Sequence, residues 1–403
     1  METRGISKLD LKRRNRKQIL LAIREAGTLA RVDIAGKLSL TRAAVTIITN
    51  QMIQQNILED LSTPKEDPTL PKKKGRKKTM IQINPNYRFV LGVLISEDFL
   101  SIGLSNLNGE VLDKSFHSLS DSSDFQEITA LIIKSAKTLM KKSSLTVKQI
   151  LGLGAGIVPK RWTQMYADEI ENGVTFTKLC STLETELGVP VQCDSAVQLY
   201  ALANINYREH EPKNQLLLFS GSEYRAAIIF NNVLMSGFRS DPQAINRYII
   251  TPGGASANGY PDGSVFAELS KTGIIRSAAE ILGKKPEELT LAEIHEAYDA
   301  GDKKIKKLLD STAEKLALLV YNFAVITRSQ RVILQSFDMI PETEKRLRDT
   351  VKKLGKADSE QIELLISPVD PEHSFLAGSA LAVEKLFFEM GGIQKNETAG
   401  GYN

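Results

Sequence analysis

Apolar residues recur at helical spacing through the first 55 positions and at strand spacing in the segments that follow. Residues 9–26 predict a helix with Ile19, Leu20 and Ile23 as its apolar stripe. Gly27 suits the left-handed position that ends it. Residues 31–38 predict a second, short helix with Val32, Ile34, Ala35 and Leu38 inward, and Ser39-Leu40 is a tight connection. Thr41 then caps a third helix over 42–55, because its hydroxyl can accept a free amide of the first turn. Val45, Ile48 and Met52 stand at i, i+3 and i+7 and predict the face that packs on the first two helices. Arg42, Ala43, Thr46 and Asn50 fall away from that face. Asn56 stands where the helix must stop, since asparagine tolerates left-handed geometry. Residues 57–61 and 80–84 read as two strands of a wing, separated by a polar, Pro-rich stretch.

Beyond Pro85 the pattern changes. Three strands are expected at 89–95, 100–106 and 111–116, with Asn108-Gly109 as a hairpin turn. A helix at 125–142, a buried strand ending in a glycine-rich loop (ILGLGAGIVP), a helix at 175–187, a short strand (VPVQCD) and a helix at 195–206 follow. A related set starts near Gln215, with strands in LLLFSGS and RAAIIFNNVLMS and a turn at Asn231-Asn232. Helices are expected at 264–269, 273–282, 291–300, 302–327, 342–354 and 379–390, and late strands at 331–335 and 362–367. Strand triplets followed by helix and strand, occurring twice, predict two α/β lobes. The domains expected are 1–84, 85–205 and 206–403, with the last helix returning to the first lobe.

Charge sharpens this division. Residues 1–80 hold 18 Lys and Arg against 8 Asp and Glu, a net of +10, whereas residues 81–403 hold 34 against 40, a net of −6. A basic module fused to a mildly acidic one favours a polyanion at the basic end, because neutralising phosphates releases condensed counterions. A recognition helix presents residues such as Arg42, Ala43, Thr46 and Asn50 to base edges in the major groove, where Arg suits guanine, Asn adenine, and Ala or Thr a thymine methyl. Arg31 and Thr41 flank that helix and join the expected contacts. Lys72, Lys73, Lys74, Arg76, Lys77 and Lys78 surround Gly75. A flexible Gly-Arg step suits a narrow minor groove; a solubilising linker that touches only phosphates is the alternative. For the head as a whole, the alternative is a three-helix interaction module with a solvated polar face. No apolar run approaches the roughly 20 residues of a membrane span, and the first residues lack the apolar stretch of a signal peptide. A cytoplasmic protein is expected. The two cysteines, Cys180 and Cys193, form no CxxC motif; a disulfide between them is the less expected state in a reducing compartment.

The order of elements resembles the ROK family of sugar-responsive repressors and sugar kinases. NRKQIL, LARVDIAGKLSLTRAAVT, and GRKK followed by a strand and Asn84-Pro85 are similar to the repressor branch. LGVLISEDFLSIGLSNLNGEVL is similar to the first strands of the sugar-kinase-like domain, and FLAGSALAVEKLF to the terminal helix. The resemblance implies a winged helix-turn-helix ahead of a two-lobed, actin-like ATPase fold. It also implies chemistry from which this chain departs. Where kinase members carry an Asp and a Gly in the first strand-turn, Leu94 and Ser96 stand here. The second phosphate loop, glycine-rich in kinases so that amides approach phosphate, reads GSEYRAAI, with Glu223, Tyr224 and Arg225 in the way. The family's Asn-Asp pair is Cys193-Asp194, with Asp194 keeping the carboxylate of the sugar base; a helix N-cap is its alternative reading. The Gly-Glu-x-Gly-His segment aligns with QAINR, placing Ala244 and Arg247 at the Glu and His positions. Arg247 could receive an anionic sugar derivative or serve as a salt-bridge arginine. Ala257, Gly259 and Ser264 replace the zinc cysteines, and Phe266 replaces a sugar-contacting Glu. Without thiolates or His, no tetrahedral zinc site is expected, and no cofactor.

The expectation is therefore a DNA-binding regulator, with the body as a dead kinase kept for dimerisation and for sensing a small carbohydrate. Two heads would meet an inverted-repeat operator in double-stranded DNA. The alternatives are an active ROK-type sugar kinase and an effector-independent DNA-binding protein.

Overall fold

The computed structural model describes residues 8–61, 79–96, 98–120, 123–158, 177–207, 212–220, 223–235, 244–337, 339–355, 362–367 and 370–393. The chain divides into two compact units, Met1–His210 joined by Pro371–Asn403, and Glu211–Asp370.

The first unit begins with helices α1 (Lys8–Ala26), α2 (Arg31–Leu38) and α3 (Arg42–Gln54). Gly27 follows α1 at φ 70°, and Ser39 ends α2 at φ 54°, donating its amide back to the last turn. The Ala44 amide donates to the Thr41 side chain, so Thr41 caps α3 as its residue type predicts. Asn56 at φ 58° turns the chain into the wing. There β2 (Leu58–Leu61) pairs antiparallel with β3 (Met80–Ile83). A two-residue strand, β1 (Leu29–Ala30), adds to the other side of β3. Two residues are too few to show alternation, which is why the pattern of the sequence does not reveal β1. The Asn84 side-chain amide donates to the Asn56 carbonyl and closes the wing's base.

The body of this unit is a five-stranded sheet. β4 (Phe89–Ile95), β5 (Phe99–Ser105) and β6 (Val111–Ser118) form an antiparallel meander, and β7 (Ile150–Ile157) and β8 (Val191–Ser195) continue it in parallel, in the order β6-β5-β4-β7-β8. Gly109 takes φ 81° in the β5–β6 turn, where Asn108-Gly109 predicts it. One face buries Leu91, Val93, Ile95, Ile102 and Leu153 against α4 (Phe125–Lys142) and α5 (Thr177–Leu187). The other face receives α6 (Ala196–Tyr207) and α12 (Phe375–Ala382), the latter continuing as a π-helical turn, Val383–Phe388.

Glycines permit that second packing. A side chain on Gly92 would strike the Phe375 carbonyl, one on Gly103 the Phe375 ring, and one on Gly154 the Gly378 carbonyl; one on Gly378 would strike the backbones of Gly154 and Val93. The ILGLGAGIV run therefore serves a helix at backbone contact, within the strand itself, rather than only a loop at its end.

The head's core runs into this body. Ile19, Leu20, Ile34, Val45 and Met52 share one buried cluster with Val90, Leu151, Val383 and Phe387. Arg16, 2% exposed, donates from Nε to the Gly391 carbonyl and from a terminal nitrogen to Gln55. Arg24 pairs with Glu384 at 2.8 Å and lies over the Phe388 ring at 4.3 Å.

The second unit repeats the strand order. β9 (Gln215–Ser220), β10 (Tyr224–Phe230) and β11 (Val233–Leu234) are antiparallel, and β12 (Arg331–Gln335) and β13 (Glu363–Ser367) are parallel to β9, giving β11-β10-β9-β12-β13. Asn231 and Asn232 take φ 51° and 60°, the geometry of a tight hairpin. Its helices are α7 (Val265–Leu269), α8 (Lys271–Leu282), α9 (Leu291–Asp299), α10 (Lys303–Thr327) and α11 (Pro341–Leu354). Leu316, Ala317 and Val320 of α10 cover Leu216, Leu218, Val332 and Leu334.

Candidate nucleic-acid interface and ligand residues

On α3, Val45, Ile48, Thr49 and Met52 are buried, while Arg42, Ala43, Thr46 and Asn50 are exposed. The Thr46 hydroxyl donates to the Arg42 carbonyl one turn back. Ile47, 59% exposed, lies on the same face. Positions 43, 46, 47 and 50 stand at i, i+3, i+4 and i+7, so the helical spacing that selects Ala43, Thr46 and Asn50 also selects Ile47, which reading by residue polarity passes over.

Arg31 is braced. Its Nε donates to Thr49 Oγ1 at 3.1 Å, and one terminal nitrogen donates to Asn50 Oδ1 at 3.3 Å and to Asp60 Oδ1 at 3.1 Å. It thereby ties the start of α2 to α3 and to the wing strand β2. Asn50 is held by its carbonyl oxygen, which leaves its amide hydrogens directed to other partners. Gln82 and Glu59 pair across β2 and β3. Lys72, Lys73, Lys74, Gly75, Arg76 and Lys77 lie outside the described residues.

Asp194 ends β8. The Ser195 amide donates to its Oδ1 at 2.7 Å, and the Gln198 amide, oriented to donate, reaches both carboxylate oxygens at 2.9 and 3.2 Å. Burial pushes its carboxyl above the usual range, while the Ser195 amide and the charge of Lys385 pull it back. An N-cap accepts an amide two or three residues into the helix; Asp194 instead takes the amide of its neighbour and a side chain one turn on. Leu94, 1% exposed, packs beside Gly156, so an acid at that position would be buried among aliphatic groups.

Arg247 is exposed on a short helical turn, Ala244–Arg247, of the second unit, so the two expected ligand residues belong to different units. Tyr224 is 3% exposed and sits edge-on to Phe337 in the second unit's core. Its backbone is gripped at both ends by the Asn246 side chain. The ring is taken up by the core, so of the residues in GSEYRAAI it is Glu223 that offers an anion an unfavourable group. Glu223 accepts from the Tyr260 hydroxyl at 3.0 Å and lies 3.9 Å from Arg225. Tyr260 stacks on Phe266 with centroids 4.1 Å apart. An aromatic clasp thus occupies the stretch that holds Ala257, Gly259 and Ser264. Among the described residues, no three His, Cys, Asp or Glu side chains gather as a metal site, and no helix is long and apolar enough to cross a membrane.

A basic, three-helix winged head precedes two units of matching strand order, and residues 90–357 match the ROK family model. That span covers more than half of the chain, and the protein belongs to the ROK family. It is similar to the xylose repressor of Caldicellulosiruptor bescii, 24% identical over 343 residues, covering 80% of this chain and 83% of the relative. It is also similar to the xylose repressor of Lactiplantibacillus pentosus, 20% identical over 405 residues, covering 94% and 95%. Among solved structures it resembles a ROK family transcriptional regulator homologous to the E. coli MLC protein, with TM-score 0.71, 17% identity and coverage of 94% and 98%. It resembles a ROK hexokinase from Thermus thermophilus with TM-score 0.60 and 14% identity, over 72% of this chain and 97% of that one. The fold is a winged helix-turn-helix followed by the two-lobed, actin-like architecture, and the family it belongs to contains both regulators and sugar kinases.

Proposed function

We propose that the protein is a DNA-binding repressor of sugar-metabolism genes whose body no longer transfers phosphoryl groups. The observation that carries this reading is the outward face of α3, with Arg42, Ala43, Thr46, Ile47 and Asn50 exposed while the opposite face is locked into the head's core. Arg42 reads a guanine, the Thr46 methyl and Ile47 touch thymine methyls, and Asn50 donates to a base acceptor. Arg31 acts by bracing Asn50 and the wing. The basic wing segment, with Lys72, Lys73, Lys74, Gly75, Arg76 and Lys77, grips phosphates or enters the minor groove. Two copies meet an inverted repeat, the body supplies the dimer, and Asp194 and Arg247, each on its own unit, are candidate contacts of a small carbohydrate effector. The xylose repressors among its relatives support this reading. Leu94 in a buried position and Glu223 beside the former phosphate loop argue against ATP, and the Tyr260–Phe266 clasp against zinc.

Binding of promoter DNA as a function of salt tests the head. The expected log–log slope is on the order of −4 to −8 for two heads each neutralising a few phosphates. Arg42→Ala is expected to cost about 1–3 kcal/mol and to relax discrimination at one base pair; unchanged discrimination would place the reading face elsewhere. A second reading, the active sugar kinase, draws on the retained, half-buried carboxylate of Asp194. Incubation with ATP, magnesium and a panel of sugars separates the two, since turnover of any sugar would overturn the repressor-only reading.

A further inference from the structure

We propose that Cys180 and Cys193 are a redox modification site, closed into an intramolecular disulfide by hydroperoxides and reopened by thiols. The chain's two cysteines come from different elements, Cys180 from α5 and Cys193 from the edge strand β8. They stand 13 positions apart in sequence, yet their sulfurs lie 2.6 Å apart, with Cys180 and Cys193 facing each other at the margin of the first unit's core. Both are reduced and partly exposed, so a small oxidant can reach the pair without unfolding the unit. The edge strand and the helix already present the sulfurs to one another, so closing the bond shortens their 2.6 Å separation to the roughly 2.05 Å of a disulfide.

The surroundings assign the roles. The hydrogen bond between the two thiols favours the thiolate of Cys180 and pulls its ionisation down. That same bond, burial, and the nearby Asp194 and Glu184 push Cys193 up and keep its proton on. Cys180 is thus the attacking sulfur. Its thiolate attacks one oxygen of the hydroperoxide and the O–O bond breaks; the other oxygen leaves as alkoxide or hydroxide and takes up a proton from water. Cys180 is left as a sulfenic acid. The Cys193 sulfur then attacks the Cys180 sulfur, the S–O bond breaks, and the departing hydroxide takes the Cys193 proton as water. Two thiols together lose two electrons and one peroxide gains them. Thiol–disulfide exchange with a dithiol restores the pair. The bridge would fasten α5 to β8 at the residue immediately before Asp194, so oxidation acts next to the carboxylate assigned to the effector under the proposed function.

The test uses the full-length protein treated with hydrogen peroxide and then denatured. Titratable thiols are expected to fall from two to none and to return with dithiothreitol. The intact mass should fall by two hydrogens, and a non-reducing digest should yield one cross-linked pair of peptides containing Cys180 and Cys193. Cys193→Ser is expected to stop the sequence at a Cys180 sulfenic acid that dimedone traps, while Cys180→Ser prevents the cross-link. Two thiols that stay titratable, bridges formed only between chains, or oxidation to sulfinic acid without a cross-link would each overturn the proposal.

Discussion

The two units carry the same strand order, yet what covers their sheets differs in kind. In the second unit the long α10 lays Leu316, Ala317 and Val320 over β9 and β12, an ordinary meeting of side chains. In the first unit α12 lies on bare backbone, because Gly92, Gly154 and Gly378 remove the side chains that would hold helix and sheet apart. The consequence is positional accuracy. A helix seated on backbone has few alternative registers, and the π-helical turn that extends it reaches the head, where Glu384 pairs with Arg24. The next residue, Lys385, is the one whose charge is felt at Asp194. One topology therefore serves two ends: a firmly seated unit joined to the basic head, and a unit in which Tyr260 bonds Glu223 and stacks on Phe266.

The sharpest way to break this comparison is to refill the backbone contact. Gly378→Val forces methyl groups against the backbone of β4 and β7 and is expected to cost about 3 kcal/mol or more. A branched residue at Ala317 of α10 is expected to cost less, because side chains can shift where backbones cannot. Equal losses in chemical denaturation would remove the distinction between the units.

The junction with the head comes next. Arg16→Ala leaves the Gly391 carbonyl and Gln55 without the buried guanidinium and opens a cavity, for an expected loss of about 2–4 kcal/mol. Hydrogen exchange should show α1 and the 389–393 segment opening together in this variant; protection lost in α1 alone would mean the head is held by its own core.

Asp194 gives a smaller effect with a definite sign. Its folded carboxyl is raised above the ordinary value by burial, so the native state binds more protons than the unfolded chain between the two pKa values. Stability thus falls as pH rises through that window, and the ionised form is a cost at neutral pH. Asp194→Asn is expected to raise Tm at pH 7, with the gain shrinking to nothing below the ordinary Asp range near 3.9. A loss of stability at pH 7 would instead mark Asp194 as a purely structural support for α6.

The smallest expected effect is none. Chelators such as EDTA should leave Tm unchanged if the Tyr260–Phe266 stack and the Tyr260–Glu223 bond, rather than a metal, hold this loop. A fall in Tm on chelation would show that the loop still depends on a metal.

Much of this was legible in the chain, and the reasons are local. Thr41, Gly27, Asn56, Gly109 and Asn231-Asn232 mark caps and turns because each relieves a constraint set within a few residues, and all appear where expected. Strands 89–95 and 331–335 and the helix at 125–142 follow from apolar spacing alone. The polar face of α3 follows from the same spacing, although Ile47 shows that spacing outranks polarity as a guide. What was not legible depends on partners far along the chain. Arg31 reads as a free cation until Thr49, Asn50 and Asp60 are seen around it. Tyr224 reads as a plug for a phosphate loop until Phe337 and Asn246 draw it into a core. The sequence by itself determined the secondary elements, the exposed face of α3 and the twofold repeat of lobes, because periodicity and turn chemistry act over a few residues. Only the tertiary structure decided that the glycines of β7 admit α12, that Arg16 anchors the head 375 residues away, and that Cys180 meets Cys193. Those outcomes turn on which surfaces come to exclude water together, and no local pattern records that.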